Sequence, residues 1–126
     1  MNNLNQATET LRVKFRLLRR GEVIEKKDQG VKIALIETPN CIIELMEPLD
    51  QNSTVAKFLL RNEGRNGIHH IAFDVNEQLE KVSADLKTLG VEMTDSSPRI
   101  GAMGHRINFC HPKFTSNILI ELCETG

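Results

Sequence analysis

The amino-acid sequence predicts an α+β domain built from two related halves, and three observations carry that reading. IIELMEP near the middle of the chain and LIELCET at its end share Ile-Glu-Leu at matched places. Helical and strand-like patterns alternate along the chain instead of segregating. The same order of elements recurs on either side of residues 53–67, as an internal duplication requires. With 126 residues and 40% hydrophobic content, the chain is one domain's worth of polypeptide. The expected divisions are a first module over 1–52, a linker helix over 53–67 and a second module over 68–126.

Each element has its own signal. Leu4, Ala7, Leu11, Phe15 and Leu18 recur at spacings of three and four, which predicts an amphipathic helix over about 5–18, stopped by Gly21. GEVIEKK reads as a short polar strand. VKIALIE (31–37) and CIIELMEP (41–48) read as a hairpin joined by Thr38-Pro39-Asn40. Ser53 is the expected cap of a short helix carrying Val55, Phe58 and Leu59, with Gly64 and Gly67 beyond it. IHHIAFDV (68–75) reads as a strand. Asn76 is the expected cap of a helix with the stripe Leu79, Val82, Leu86 and Leu89, ended by Gly90. VEMTD, HRINFCH (105–111) and ILIELCE (118–124) read as three closing strands, separated by the loop PRIGAMG and the turn HPKFTSN.

Aligned in this way, the second half begins with a strand that has no partner in the first half. Only three or four residues precede the first helix, so the first module is expected to be incomplete.

Composition narrows the function classes. Sixteen basic against 17 acidic residues give a formal net charge of -1, which offers no electrostatic footprint for nucleic acid or an anionic membrane. Five Phe with no Trp or Tyr leave few platforms for stacking bases. Cys41, Cys110 and Cys123 are odd in number and lack C-x-x-C spacing, which argues for reduced thiols in a cytoplasmic or, in a eukaryote, mitochondrial matrix setting. No apolar run approaches the length of a membrane span. Arg12, Lys14, Arg16, Arg19 and Arg20 are read as a basic surface face around the first helix.

Two carboxylates stand out because each interrupts an otherwise apolar strand: Glu44 in CIIELMEP and Glu121 in LIELCE. An ionised carboxylate is costly to bury unless something pairs with it. Strand alternation places His70, Ala72 and Asp74 on one face of 68–75, and His69, Ile71, Phe73 and Val75 on the other, which suits helix packing. By the same rule Glu44 lies with Ile42 and Met46, and Glu121 with Leu119 and Cys123. If the halves are related by a pseudo-twofold axis, Glu44, Glu121 and His70 face one cavity, where an imidazole and two carboxylates suit a divalent cation.

The segments QGVKIALIE, IELMEPLDQNSTVAKFL, GIHHIAFDV, PRIGAMGHRINFCHPK and ILIELCE, in this order, resemble the methylmalonyl-CoA epimerases of the vicinal oxygen chelate, or glyoxalase-like, superfamily. The likeness covers nearly all of residues 28–124. PRIGA-x-G followed by F-x-HPK is its most characteristic part. It implies paired β-α-β-β-β modules whose curled sheets form a cup around a divalent metal (cobalt or another cation), the glyoxalase/bleomycin-resistance-like fold with the first strand of module 1 missing. It further implies His70, Glu44 and Glu121 as metal ligands, with a fourth ligand belonging to the missing strand.

The implied reaction is α-proton exchange on an acyl-CoA, which interconverts (R)- and (S)-methylmalonyl-CoA through a metal-stabilised enolate. Glu121 and Glu44 are the expected catalytic bases. A separate glutamate of some relatives falls at Ile33, which cannot transfer a proton, and Asp28 is a weaker candidate. His105 and His111 flank a strand, and His111-Pro112 is expected to shape a turn. Lys57, Arg65, Arg99, Arg106 and Lys113 are candidates for the phosphates of coenzyme A. Gly101 and Gly104 fit a mobile loop over a cleft. A homodimer is expected, because a cup opened by a missing strand exposes apolar edges. Two alternatives remain beside the epimerase: a glyoxalase-type lyase acting on a glutathione hemithioacetal, and a vestigial ligand-binding module.

Overall fold

The computed structural model describes residues 1–125, which form two compact units divided between Gly67 and Ile68. Unit 1 runs α1 (Leu4–Phe15), β1 (Arg19–Lys26), β2 (Val31–Glu37), β3 (Ile42–Pro48) and α2 (Thr54–Arg61). Unit 2 runs β4 (Ile71–Val75), α3 (Leu79–Thr88), β5 (Arg99–Ile100), β6 (Arg106–Cys110), a single 3-10 turn over Pro112–Phe114, and β7 (Ile120–Glu124). The mixture of helices and sheets is the α+β class expected.

In unit 1 the sheet order is β1-β2-β3, antiparallel throughout. One face packs on α1 through Leu4, Ala34, Ile36 and Leu45, all buried. Strand alternation sends Ile33, Leu35, Ile42, Glu44 and Met46 to the opposite face. The helix ends earlier than its apolar spacing suggests. Arg16 takes a left-handed conformation (φ 57°), and its N–H donates to Arg12 C=O at 3.1 Å, an αL-type closure. Gly21 therefore does not stop the helix. It lies inside β1 with φ 68°, where the β1–β2 register shifts between Arg20 and Ile24, a bulge that glycine accommodates without strain.

In unit 2 the order is β4-β7-β6-β5, with β4 parallel to β7 and the other pairs antiparallel. Leu79, Cys110 and Leu122 form the buried core under α3. Three sequence expectations are corrected here. The helix cap is Gln78 rather than Asn76, and it makes no side-chain cap bond; the Leu79 N–H is instead satisfied by Glu124 Oε2 at 3.1 Å, a carboxylate distant in sequence. VEMTD is not a strand but a bridge at Met93↔Cys110, and the edge strand is Arg99–Ile100, inside the expected loop. Buried Asn108 explains the displacement. Its Oδ1 accepts from Asp95 N–H (3.3 Å) and its Nδ2 donates to Asp95 C=O (3.2 Å), so a side chain takes up backbone groups that a ladder would otherwise pair. Finally, β4 begins at Ile71, so His70 stands just before the ladder.

The duplication is visible inside the units. Leu4 and Leu79 are the first residues of their helices, and each is fully buried. Each backbone N–H donates to a glutamate at the end of the unit's last strand: Leu4 to Glu47 at 3.3 Å, Leu79 to Glu124 at 3.1 Å. A carboxylate at a helix N-terminus is favourable both as an acceptor and against the helix dipole. In unit 2, β7 is flanked by β4 and β6, whereas its counterpart β3 pairs in its sheet with β2 alone among the described residues. At that edge the Met1 ammonium donates to Met46 C=O at 2.7 Å.

Candidate active site

Unit 2 presents two faces, and the one away from α3 carries the candidate residues His70 and Glu121. Cross-strand partners share a face, so the pairs Ala72↔Glu121, Asp74↔Cys123, Phe109↔Glu121, Ile107↔Cys123 and Arg99↔Ile107 place Arg99, Phe109, Glu121 and Cys123 together. His70, in alternation with Ala72 and Asp74, joins them. Its Nε2 lies 2.9 Å from Glu121 Oε2, and both side chains are about nine-tenths buried.

Both Glu121 oxygens are engaged. Oε2 meets His70, and Oε1 accepts from the Cys123 thiol at 3.2 Å. Burial alone would push this carboxyl up, but the hydrogen bonds from His70 and Cys123 and the charges of His70 and Arg99 outweigh it, so Glu121 is held below the usual carboxylate range. The cost of an acid in an apolar strand is thereby offset by its partners. His70 is itself oriented twice. Its Nδ1 lies 2.9 Å from His69 Nδ1, one ring donating and the other accepting, and its ring packs edge-on against Phe109 at 5.4 Å and 84°. Donor and acceptor roles in the His69–His70 contact follow the tautomers of the two rings.

The pair also meets the donor chemistry of a divalent cation. A nitrogen and an oxygen 2.9 Å apart have about the spacing of neighbouring ligands bound at ~2.1 Å to one ion. Among the described residues, no group of three or more His, Cys, Asp or Glu side chains is assembled as a metal site.

The structure thus brings together two of the three residues singled out, His70 and Glu121. Glu44 belongs to unit 1. It is half-buried in β3 opposite Leu35, on the face away from α1, and so holds in its own sheet the place that Glu121 holds in β7. Ile33 is buried and Asp28 is exposed in the β1–β2 turn.

Among the basic candidates, Arg106 leaves the set. It lies on the α3 face, bonded to Glu124 at 2.9 Å and to Glu80, because the β6–β7 pairing Arg106↔Glu124 turns it there. Arg65 pairs with Glu63 at 3.4 Å, and Lys113 lies 5.7 Å over the Phe114 ring. His111 has a turn-shaping role, accepting from Lys113 N–H at 3.1 Å. Gly101 sits against Ile107, where an added Cβ would come within 3.0 Å of its side chain. Asp95, Asn108 and Phe109 escaped the sequence reading. Alternation could have placed Phe109 beside Glu121, but the side chain–backbone contacts of Asn108 leave no pattern in sequence.

Three comparisons bear on identity. The family model described as the Glyoxalase/Bleomycin resistance protein/Dioxygenase superfamily matches residues 2–109. An ethylmalonyl-CoA/methylmalonyl-CoA epimerase of Cereibacter sphaeroides is 39% identical over 99 residues, 78% of this chain and 72% of that protein. The crystal structure of methylmalonyl-CoA epimerase from Mycobacterium tuberculosis superposes with a TM-score of 0.89 at 34% identity, covering 100% of this chain and 83% of that one. A methylmalonyl-CoA epimerase solved in complex with methylmalonyl-CoA and NH4+ gives a TM-score of 0.89 at 30% identity, over 99% of this chain and 88% of that one. With a family model spanning most of its length and relatives above 30% identity, this chain belongs to the Glyoxalase/Bleomycin resistance protein/Dioxygenase superfamily.

Proposed function

We propose that the protein is a methylmalonyl-CoA epimerase, which removes the α-proton of the acyl group on one face and returns a proton on the other. The observation that carries the reading is the His70–Glu121 pair, a buried imidazole and carboxylate 2.9 Å apart in a chain similar to named epimerases. Members of the superfamily commonly bind a divalent metal. Here His70 and Glu121 would hold the ion, with Glu44 as a third ligand by its matched place. The ion would supply positive charge beside the substrate's oxygens.

The residues' own tasks follow from their settings. The α-carbon lies between a thioester and a carboxylate, so its proton is acidified by two electron-withdrawing groups. Glu121, kept ionised by its partners, needs no prior deprotonation to accept a proton. The His70 ring, fixed by His69 and Phe109, holds that carboxylate in one orientation. Epimerisation needs a second base on the opposite face, and Glu44 takes that role in this reading. A homodimer is part of the proposal, with the exposed apolar residues Ile68, Ile71, Phe73 and Ile118 of unit 2 available for contact. No helix of the described residues is long and apolar enough to cross a membrane.

The test is α-proton exchange on methylmalonyl-CoA in deuterated water, with and without added divalent metal, alongside a glutathione hemithioacetal. Exchange that is abolished in Glu121→Gln and His70→Ala supports the epimerase. Turnover of the hemithioacetal with no exchange would replace it with a lyase. Retention of full interconversion of (R)- and (S)-methylmalonyl-CoA in Glu44→Gln would remove Glu44 as the second base.

A further inference from the structure

We propose that Arg99 is a substrate-binding residue, a preformed fork for an oxyanion of the acyl-CoA. This deepens the function proposed above and rests on its acyl-CoA reading. Arg99 pairs with Ile107 across β5–β6, so its side chain leaves the face that carries Phe109, Glu121 and His70. Two contacts hold the guanidinium in place. Its Nε lies 3.4 Å from Asp95 Oδ2, and its central carbon lies 5.9 Å from the Phe109 ring centroid. Phe109 in turn packs against His70, so one ring links Arg99 to the candidate catalytic pair.

These contacts leave the guanidinium underused. Asp95 Oδ2 is buried without a hydrogen-bond partner, so its link to Nε is an ion pair lacking hydrogen-bond alignment. Neither terminal nitrogen of Arg99 makes a hydrogen bond among the described residues, and about half of the side chain is open to solvent. Arg106, seven residues on, shows the contrasting state: its terminal nitrogens are occupied by Glu80 and Glu124 on the opposite face. A planar cation with two parallel donors free, a stem held by two contacts and an accessible position is suited to a bidentate carboxylate or phosphate. Its support is itself anchored, since Asn108 bonds both backbone groups of Asp95. Methylmalonyl-CoA offers both kinds of oxyanion, the free carboxylate of the acyl group and the phosphates of the carrier.

The experiment measures kcat and KM for α-proton exchange, and direct binding by calorimetry, in the wild type, Arg99→Ala and Arg99→Lys. It uses methylmalonyl-CoA and the methylmalonyl thioester of N-acetylcysteamine, which keeps the carboxylate and lacks every phosphate. The expected result is a KM raised about 10- to 100-fold in Arg99→Ala, with kcat changed less than about threefold. Arg99→Lys should recover part of the loss, because it keeps the charge and loses the fork. Weakening with both substrates assigns the carboxylate; weakening with the coenzyme A ester alone assigns a phosphate. Should Arg99→Ala fail to fold, Arg99→Lys decides: a KM rise smaller than that range supports the fork, and no rise refutes it. Unchanged KM and affinity for both substrates in an active enzyme overturn the Arg99 proposal and leave the epimerase standing. Binding that depends on Arg99 without any exchange supports the fork and refutes the epimerase. A wild type that neither binds nor exchanges either substrate refutes both.

Discussion

Replacing Asn108 by alanine should destabilise the protein by about 2–4 kcal/mol, because this buried side chain bonds both backbone groups of Asp95. Asn108 is 1% exposed. Its amide makes two bonds to the backbone of Asp95, at 3.3 and 3.2 Å, and one to the adjoining Phe109 N–H at 2.8 Å. The two bonds to Asp95 join segments 13 residues apart and, at these long distances, contribute about 0.5 kcal/mol each, and truncation adds the cost of partners left unsatisfied, about 1–3 kcal/mol. Urea unfolding followed by circular dichroism should show the midpoint lowered by about 1–2 M with the slope unchanged. The same variant frees Asp95, so its KM for the acyl-CoA should rise by more than its kcat falls. A midpoint shift below about 0.5 M would refute the claim that Asn108 anchors Asp95.

Three further outcomes follow from particular contacts. Gly30→Ala should cost at least about 2 kcal/mol in chemical denaturation, since φ is +67° and the new Cβ would lie 2.8 Å from Ser53 Cβ, disturbing the residue that caps α2. Alkylation read by intact mass should label exposed Cys41 first and Cys110 last, because burial raises the Cys110 thiol above its ordinary value and screens it from reagent. In the metal-free protein, Glu121 contributes stability that is present in full above about pH 4.5, its unfolded value, and is lost as the pH falls through its lower folded value. Acid titration of Glu121→Gln by the same unfolding assay should therefore show a shallower loss across that window, and an unchanged profile would contradict the direction assigned to Glu121.

Much of the fold was legible because it is written in local periodicity. The apolar alternation of VKIALIE and IIELMEP and the stripe beginning at Leu79 gave their elements to within a few residues. The repeated Ile-Glu-Leu marked the duplication that reappears as the Leu4–Glu47 and Leu79–Glu124 caps. Alternation likewise put His70 on the face away from α3, with Glu121. The failures share one cause, which is that each element was settled by a partner far along the chain. The α3 start depends on Glu124, 45 residues on, and the edge strand falls at Arg99–Ile100 because Asn108 has claimed the backbone of Asp95.

Spacing and composition suffice for the α+β class, the two related halves and the residue types that could do acid–base work, since spacing decides which side chains share a face and composition decides what they can do. Only the tertiary structure decided how these groups are charged and aimed. Glu121 is held below the usual carboxylate range because His70 and Arg99 reach it from two other segments and Cys123 bonds it along its own strand. Arg99 keeps a free fork while Arg106 spends its own, because strand register sends the two arginines to opposite faces of one sheet. Hydrogen bonds and charge–charge interactions act over a few ångströms, and which groups come within that range is a property of the folded chain.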